Sequence, residues 1–331
     1  MQLRFRQYLS AGIAMLAVWP TAAALGVSCT TQSQMAPADL NSLISSSKAL
    51  MAQIQAADVA GVKAITISSI AAQFDSIAAE IQAAAPSTQQ ATVTIQNLYL
   101  LNAADLKATE DMTQFFCGAG NGHEVVLAIP QLPPGRYALA TLHATGVKQP
   151  QQVSFVLQQE SGGQWKLAGL FIKPLTAAGH DGLWYWTQAR DYLHSKQNWN
   201  AYFYLQTAAE LLVPVNFLTS PNLDKLIREQ NAAAPAGLPG AQPLKLAVNG
   251  QSYDVTSLRT DGSLGGLDLV INYDARDISD PVSARSRNLE VMKALLGQHP
   301  ELRQAFHGLW VYANAPGQRP FAIELPMNQI Q

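Results

Sequence analysis

The side chains best suited to acid–base or metal chemistry in this sequence are its six histidines. They are His123, His143, His180, His194, His299 and His307. No two of them lie four residues apart, as they would in a zinc site on one face of a helix, and the chain has no HExxH sequence and no Cys/His cluster. The sequence therefore predicts neither a metal site nor a cofactor.

His143 has the sequence context that best suits catalysis. On a β-strand it would share a face with Tyr137, Leu139 and Thr141, where it can act as the general base of a hydrolase. A glycosidase would need paired carboxylates, and the acids near aromatic segments (Glu110, Asp111, Glu124 and Asp181) are scattered. We keep a secreted hydrolase as the alternative function and assign no catalytic residue.

Aromatic side chains are concentrated in residues 179–212, where eight of them fall within 21 residues. They are Trp184, Tyr185, Trp186, Tyr192, Trp199, Tyr202, Phe203 and Tyr204. Such residues concentrate at recognition sites, yet the helical spacing of Tyr185, Ala189 and Tyr192 favours a packed core for most of them. Trp184 and Trp186 flank that face, and we expect them to be exposed.

The predicted ligand-binding residues follow from these two regions. They are Tyr137, His143, His180, Asp181, Trp184 and Trp186.

Two other motifs do not predict a binding site. The glycine-rich residues 118–122 lead into a strand, so no helix N-terminus is present to bind phosphate. The spacing of Asp274, Asp277 and Asp280 does not fit a calcium loop, and Asp280 is better explained as the N-cap of a helix beginning at Pro281.

The first residues predict export. Arg4 and Arg6 precede an apolar run over residues 11–18 and three alanines at 22–24, a pattern typical of a signal peptide over residues 1–24. In a periplasmic or extracellular compartment, Cys29 and Cys117 predict one disulfide. A lipidated Cys29 is the alternative, and it alone would attach the chain to a membrane.

Charge excludes one class of partner. The formal net charge is −2, it becomes −4 when the two arginines of the signal peptide are removed, and only 13% of the residues are charged. Nucleic-acid binding needs a clustered basic surface, which this composition does not supply. We expect an unknown protein or a small molecule as the partner.

The first half of the mature chain predicts helices followed by a sheet. Apolar stripes over residues 38–57 and 67–81 predict two helices, the second ending before Pro86. Residues 125–129, 136–145, 152–158 and 165–172 predict an antiparallel meander of four strands with helices on one face. Residues 91–112 fit either a strand or a helix.

Two stretches of this half carry a resemblance. The runs PPGRYALATLHATG and QQVSFVLQQESGGQWKLAGLFI resemble the sheet of secreted bacterial domains with the cone-shaped α+β fold of nuclear transport factor 2. The resemblance covers residues 35–175 and implies N-terminal helices on a curved antiparallel sheet. Many such domains bind a ligand inside the cone, so the resemblance supports the fold more than a function.

The second half predicts a helical hairpin and another small domain. The spacing of Ala189, Tyr192, Ala201, Leu205 and Ala208 resembles one tetratricopeptide unit, which we expect to dock on the sheet domain. Ser220 caps a short helix over residues 222–229, and residues 231–243 read as a linker. Beyond them, Asn249-Gly250 predicts a β-hairpin turn.

The resulting fold class is α+β. The predicted division is a signal peptide (1–24), a cone-shaped α+β domain (25–178), an aromatic hairpin (179–230), a linker (231–243) and a C-terminal α+β domain (244–331). The predicted function is an exported, non-catalytic binding or interaction protein of the bacterial envelope.

Overall fold

A computed structural model of the chain describes residues 26–118, 124–248 and 250–331. The predicted signal peptide, His123, the glycine-rich residues 119–122 and Asn249 of the predicted turn lie outside the described residues. The fold is α+β, with N-terminal helices on an antiparallel sheet, a helical hairpin and a second α+β unit, as the sequence predicted.

The elements are numbered in chain order. The helices are α1 (Pro37–Gln55), α2 (Val59–Ala64), α3 (Ser68–Ala71), α4 (Asp75–Thr88), α5 (Gly182–His194), α6 (Asn198–Leu212), α7 (Pro221–Ala233), α8 (Pro281–Gln298) and α9 (Leu302–Ala305). The strands are β1 (Ser28–Thr31), β2 (Thr92–Asn102), β3 (Met112–Cys117), β4 (Val125–Pro130), β5 (Arg136–Thr145), β6 (Gln151–Gln159), β7 (Trp165–Pro174), β8 (Thr176–Ala177), β9 (His180–Asp181), β10 (Leu218–Thr219), β11 (Leu244–Val248), β12 (Gln251–Asp261), β13 (Asp268–Asp274), β14 (Gly308–Asn314) and β15 (Phe321–Pro326).

The N-terminal sheet has the order β1-β2-β5-β6-β7, and its neighbouring strands are antiparallel. Helices α1 and α4 cover one face, where Leu43 and Ile81 share a core with Ala140 and Phe155. The predicted second helix is divided into α3 and α4, and α4 continues two residues past Pro86. The hydroxyl groups of the two residues after Pro86 donate to the carbonyl oxygen of Ala84, which supports this last turn.

A second sheet, β10-β4-β3, lies against the other face of the N-terminal sheet. Phe115 and Leu127 from the second sheet share a core with Tyr137 and Leu139 from β5. The predicted four-strand meander is therefore wrong in its first strand. β4 pairs with β3 instead, because the chain turns at Gln131, whose φ is 51°, before it enters β5.

The predicted disulfide is present. Cys29 on β1 and Cys117 on β3 are bonded, with their Cα atoms 5.1 Å apart. The bond joins the two sheets of the N-terminal unit, and disulfides of this kind form in oxidising compartments. The sulfur of a bonded Cys29 cannot also carry a lipid.

The helical hairpin α5–α6 shares its core with the C-terminal unit. Helix α6 also contacts β7 of the N-terminal sheet, where Lys173 donates a hydrogen bond to the carbonyl oxygen of Val213 at 2.9 Å. The Tyr204 hydroxyl donates to the carbonyl oxygen of Ala305 at 2.7 Å, and the hydroxyls of Thr207 and Thr260 are 2.8 Å apart. These hydrogen bonds show that α6 lies over β12 and α9, and this position buries the apolar face of α6. Helix α7 also extends to Ala233, into the predicted linker.

The C-terminal sheet has the order β11-β12-β13-β14-β15. Its pairs are antiparallel except β13 and β14, which are parallel and are connected through α8. The side chain of Asp280 accepts hydrogen bonds from the backbone N–H groups of Val282 and Ser283, which confirms the predicted cap of α8. Helix α8 packs on one face of this sheet through buried residues such as Val291 and Leu295.

No helix among the described residues combines the length and the apolar character that crossing a membrane requires.

Candidate functional site

The six predicted ligand-binding residues lie in three places. Tyr137 and His143 are on β5 of the N-terminal sheet, His180, Asp181 and Trp184 are together at the start of α5, and Trp186 lies on another side of α5. Tyr137 is only 2% exposed, and its hydroxyl donates to the carbonyl oxygen of Pro133 at 2.9 Å. Burial raises the pKa of this hydroxyl. Tyr137 therefore fixes the turn before β5 and is not accessible to a ligand.

His143 is half-buried, and its partner is an amide. Its Nε2 atom lies 3.2 Å from Oε1 of Gln152 on the neighbouring strand. A general base of a hydrolase is usually oriented by a carboxylate, and within the described residues no acid is hydrogen-bonded to His143. The second sheet packs against this face of the N-terminal sheet, where Tyr137 and Leu139 share a core with Phe115 and Leu127.

His180, Asp181 and Trp184 form a compact group. A turn through Ala178 and Gly179, both with positive φ, pairs β8 with β9. Asp181 then caps α5, since its Oδ1 accepts a hydrogen bond from the Trp184 N–H at 2.8 Å. The exposed imidazole of His180 stacks on the Trp184 ring with centroids 3.7 Å apart and an angle of 10° between the planes. Trp184 itself is half-buried and packs against the core that the hairpin shares with the C-terminal unit, so it is not exposed as the sequence predicted.

Trp186 is held in a separate network that joins α5 to α7. Its indole N–H donates to Glu229 at 2.6 Å, and Arg190 forms two hydrogen bonds to the same carboxylate. The Arg190 guanidinium also lies 4.7 Å from the centroid of the Trp186 ring. Burial opposes ionisation of Glu229, but the bonds from Arg190 and Trp186 outweigh it and lower its pKa. Trp186 is thus a structural residue.

A cleft of about 390 Å³ lies where the N-terminal sheet, α6 and the C-terminal sheet meet. We call it the inter-unit cleft. Its polar lining includes Gln149, Thr176, Glu210, Arg259, Asp261 and Ser263. Gly262 allows the turn after β12 to approach β8, because a Cβ atom there would lie 2.7 Å from Cβ of Ala177. Three separate parts of the chain thus form its walls.

Both signs of charge are present in the inter-unit cleft. Partial burial raises the pKa of Glu210, while Arg259 and Lys173 act against this rise. Burial also opposes ionisation of Asp261, but hydrogen bonds from Ser263 outweigh it and lower its pKa. Nη1 of Arg259 lies 3.5 Å from Oδ2 of Asp261. A ligand in the cleft would therefore meet hydrogen-bond donors and acceptors side by side.

The sequence reasoning missed these residues, although one signal was present. Glu210 is the only charged residue of α6, NWNAYFYLQTAAELL, so a charge stands alone on an otherwise uncharged helix. Arg259 and Asp261 alternate along β12, which places them on one face of the strand. Nothing local indicates that these two positions meet Glu210.

Comparisons with protein-family models, with curated proteins and with solved structures returned no match for this chain.

Proposed function

We propose that this chain is an exported, non-catalytic binding protein of the bacterial envelope, and that the inter-unit cleft binds a small polar ligand. The observation that carries this proposal is that Glu210 on α6 and the pair Arg259 and Asp261 on β12, which are distant in the chain, line one cleft. Its volume of about 390 Å³ falls within the range of ligand pockets in proteins.

The charges of the cleft favour a neutral or zwitterionic ligand. Two carboxylates, Glu210 and Asp261, repel a simple anion, while Arg259 repels a simple cation. The amides and hydroxyls of Gln149, Thr176 and Ser263 suit a solute with several hydrogen-bonding groups, such as a small sugar or an amino acid.

Binding is favoured over the hydrolase alternative by the position of His143. Its partner is Gln152, and it is not among the residues that line the inter-unit cleft. Export is supported by the pattern of residues 1–24 and by the Cys29–Cys117 bond. The resemblances to nuclear transport factor 2 domains and to a tetratricopeptide unit remain part of this proposal, supported by the helices packed on the N-terminal sheet and by the α5–α6 hairpin.

The binding test uses the mature protein, residues 25–331, with its disulfide intact. Thermal shift against a panel of monosaccharides, disaccharides, amino acids and dipeptides selects a ligand, and calorimetry measures its affinity. Glu210→Gln and Arg259→Gln should each weaken binding about tenfold or more, since each removes a charged hydrogen-bonding group. Lys245→Gln is the matched control, because Lys245 pairs with Asp254 outside the cleft. Equal affinities for all variants would refute the cleft as the site.

A further inference from the structure

Three strands of the C-terminal sheet bring metal-binding side chains to one end of the sheet. Asp268 begins β13, His307 precedes β14, and Glu324 lies on β15. In the register, Asp268 is opposite Gly308. Glu324 is opposite Trp310, two residues further along β14, and its side chain reaches back toward Gly308. We call these three residues the sheet-end cluster.

The side chains of the sheet-end cluster are close together. Nδ1 of His307 lies 3.1 Å from Oδ1 of Asp268, and one ligand atom from each of the three residues lies within 4.8 Å of the others. The Asp268 side chain is only 1% exposed, whereas the His307 side chain is 52% exposed. The cluster thus combines a buried carboxylate with an exposed imidazole and a half-buried Glu324.

Gly308 allows oxygen atoms to converge at one point. A Cβ atom built on residue 308 would lie 2.8 Å from the carbonyl oxygen of Leu325, 3.0 Å from Oδ1 of Asp268 and 3.3 Å from Oε1 of Glu324. Any other residue would place a carbon atom among these oxygens. The absence of a side chain at residue 308 therefore leaves room for the carboxylates of Asp268 and Glu324 to lie close together, and carboxylates are groups that can coordinate a cation.

The charge of the sheet-end cluster also favours a cation. Asp268 faces Glu324 across Gly308, and Asp261 is its direct partner on β12. Burial of a carboxylate is costly unless it is paired, and beside Asp268 only the imidazole of His307 can supply a positive charge within the cluster. A bound cation would neutralise the carboxylates and link three strands.

We propose that Asp268, His307 and Glu324 bind one divalent transition-metal ion. An imidazole with carboxylates suits Zn²⁺ or Mn²⁺ better than the all-oxygen set that Ca²⁺ prefers. At bond lengths of about 2.1 Å the ligand atoms of a tetrahedral zinc site lie roughly 3.4 Å apart. The ligand atoms lie up to 4.8 Å apart, so binding of the ion requires Glu324 and the exposed His307 to rotate toward Asp268. The sequence predicted no metal because these ligands come from three different strands.

The experiment titrates Zn²⁺ into the mature, disulfide-intact protein after removal of metals with a chelator. Calorimetry should find one ion per chain, and thermal shift should show a higher melting temperature with Zn²⁺ than with Ca²⁺ or Mg²⁺. His307→Ala should weaken Zn²⁺ binding by more than about tenfold and still fold, since this side chain is exposed. His194→Ala is the matched control, because His194 is an exposed histidine on α5.

A second variant tests the buried acid. Asp268→Asn should also weaken binding, whereas Asp254→Asn, on the same sheet but paired with Lys245, should not. Circular dichroism verifies that each variant folds. The proposal is overturned if the wild-type chain binds no Zn²⁺, if it binds Ca²⁺ in preference to Zn²⁺, or if His307→Ala binds Zn²⁺ as the wild-type chain does.

Discussion

The two large sheets of this protein differ in how their faces are covered. The N-terminal sheet is packed on both faces, by α1 and α4 on one and by the small β10-β4-β3 sheet on the other. The C-terminal sheet is packed on one face by α6 and α8. A face without a covering layer must be compatible with water, and that face carries polar residues of the inter-unit cleft and of the sheet-end cluster.

Aromatic residues show the same difference. Tyr185 and Phe203 of the α5–α6 hairpin are fully buried in the core that they share with the C-terminal sheet. Trp310 and Tyr312 alternate along β14 on the uncovered face, with ring centroids 5.8 Å apart and an angle of 19° between their planes. Among the described residues, neither is part of a core cluster or packed against one. The dense group of aromatic residues in the hairpin therefore forms a core, whereas the two aromatic residues that alternate along β14 lie at the surface.

We expect the largest effect from a pair of variants, one on the helix-covered face of the N-terminal sheet and one on the uncovered face of the C-terminal sheet. Phe155→Ala removes a fully buried ring from the N-terminal core and should lower the free energy of unfolding by about 3–5 kcal/mol. Trp310→Ala removes a ring from the uncovered face and should cost about 1 kcal/mol or less. Urea unfolding measures both. Equal costs would mean that the second face of the C-terminal sheet is packed as tightly as the first.

The disulfide tests how the doubly covered sheet is held. Cys29→Ser with Cys117→Ser removes a bond between residues 88 positions apart in the chain. We expect a loss of about 2–4 kcal/mol, chiefly because the unfolded chain gains entropy. The oxidised wild-type chain is the reference in urea unfolding, and a non-reducing mass measurement of the mature protein verifies the bond. A lipid adduct at Cys29 in that measurement would contradict the bonded arrangement.

The sequence predicted what local pattern determines. The stripe of α1 and the cap at Asp280 both follow from the spacing of apolar and capping residues. The sequence-based prediction failed where contacts between distant segments of the chain determine which strands pair. β4 has the pattern of a meander strand but pairs with β3, which the Cys117 bond ties to β1.

The same limit explains the two candidate sites. Glu210 and Arg259 meet only because α6 lies over β12, and Asp268, His307 and Glu324 meet only through the register of three strands. The group at His180, Asp181 and Trp184 could be predicted because its members are almost consecutive in the chain.

A smaller effect is expected at the junction between the two units, where α5 begins. Asp181→Ala removes the side chain that accepts the Trp184 N–H and should cost about 1 kcal/mol. Asp181→Asn is the matched control, because asparagine caps a helix about as well. If both variants lose stability equally, the charge of Asp181 matters more than its cap. If either variant also weakens binding of the ligand found for the inter-unit cleft, the binding site extends to the group of His180, Asp181 and Trp184.

The smallest effect concerns pH and the covered face of the C-terminal sheet. The His299 ring lies 4.0 Å from the Trp199 ring of α6, and burial lowers its pKa from 6.5, against a smaller opposing effect of Glu301. Because the pKa of His299 is lower in the folded chain than in the unfolded chain, the unfolded chain binds a proton more readily as the pH falls. The protein should therefore be most stable above pH 6.5 and should lose this stability as the pH falls below it. Urea unfolding between pH 8 and pH 5 should therefore show a weaker acid destabilisation for His299→Gln than for the wild-type chain. His194→Gln is the control, because His194 is exposed, and this variant should keep the pH dependence of the wild-type chain. If the free energy of unfolding changes with pH equally in His299→Gln and in the wild-type chain, His299 is not the source of the acid sensitivity.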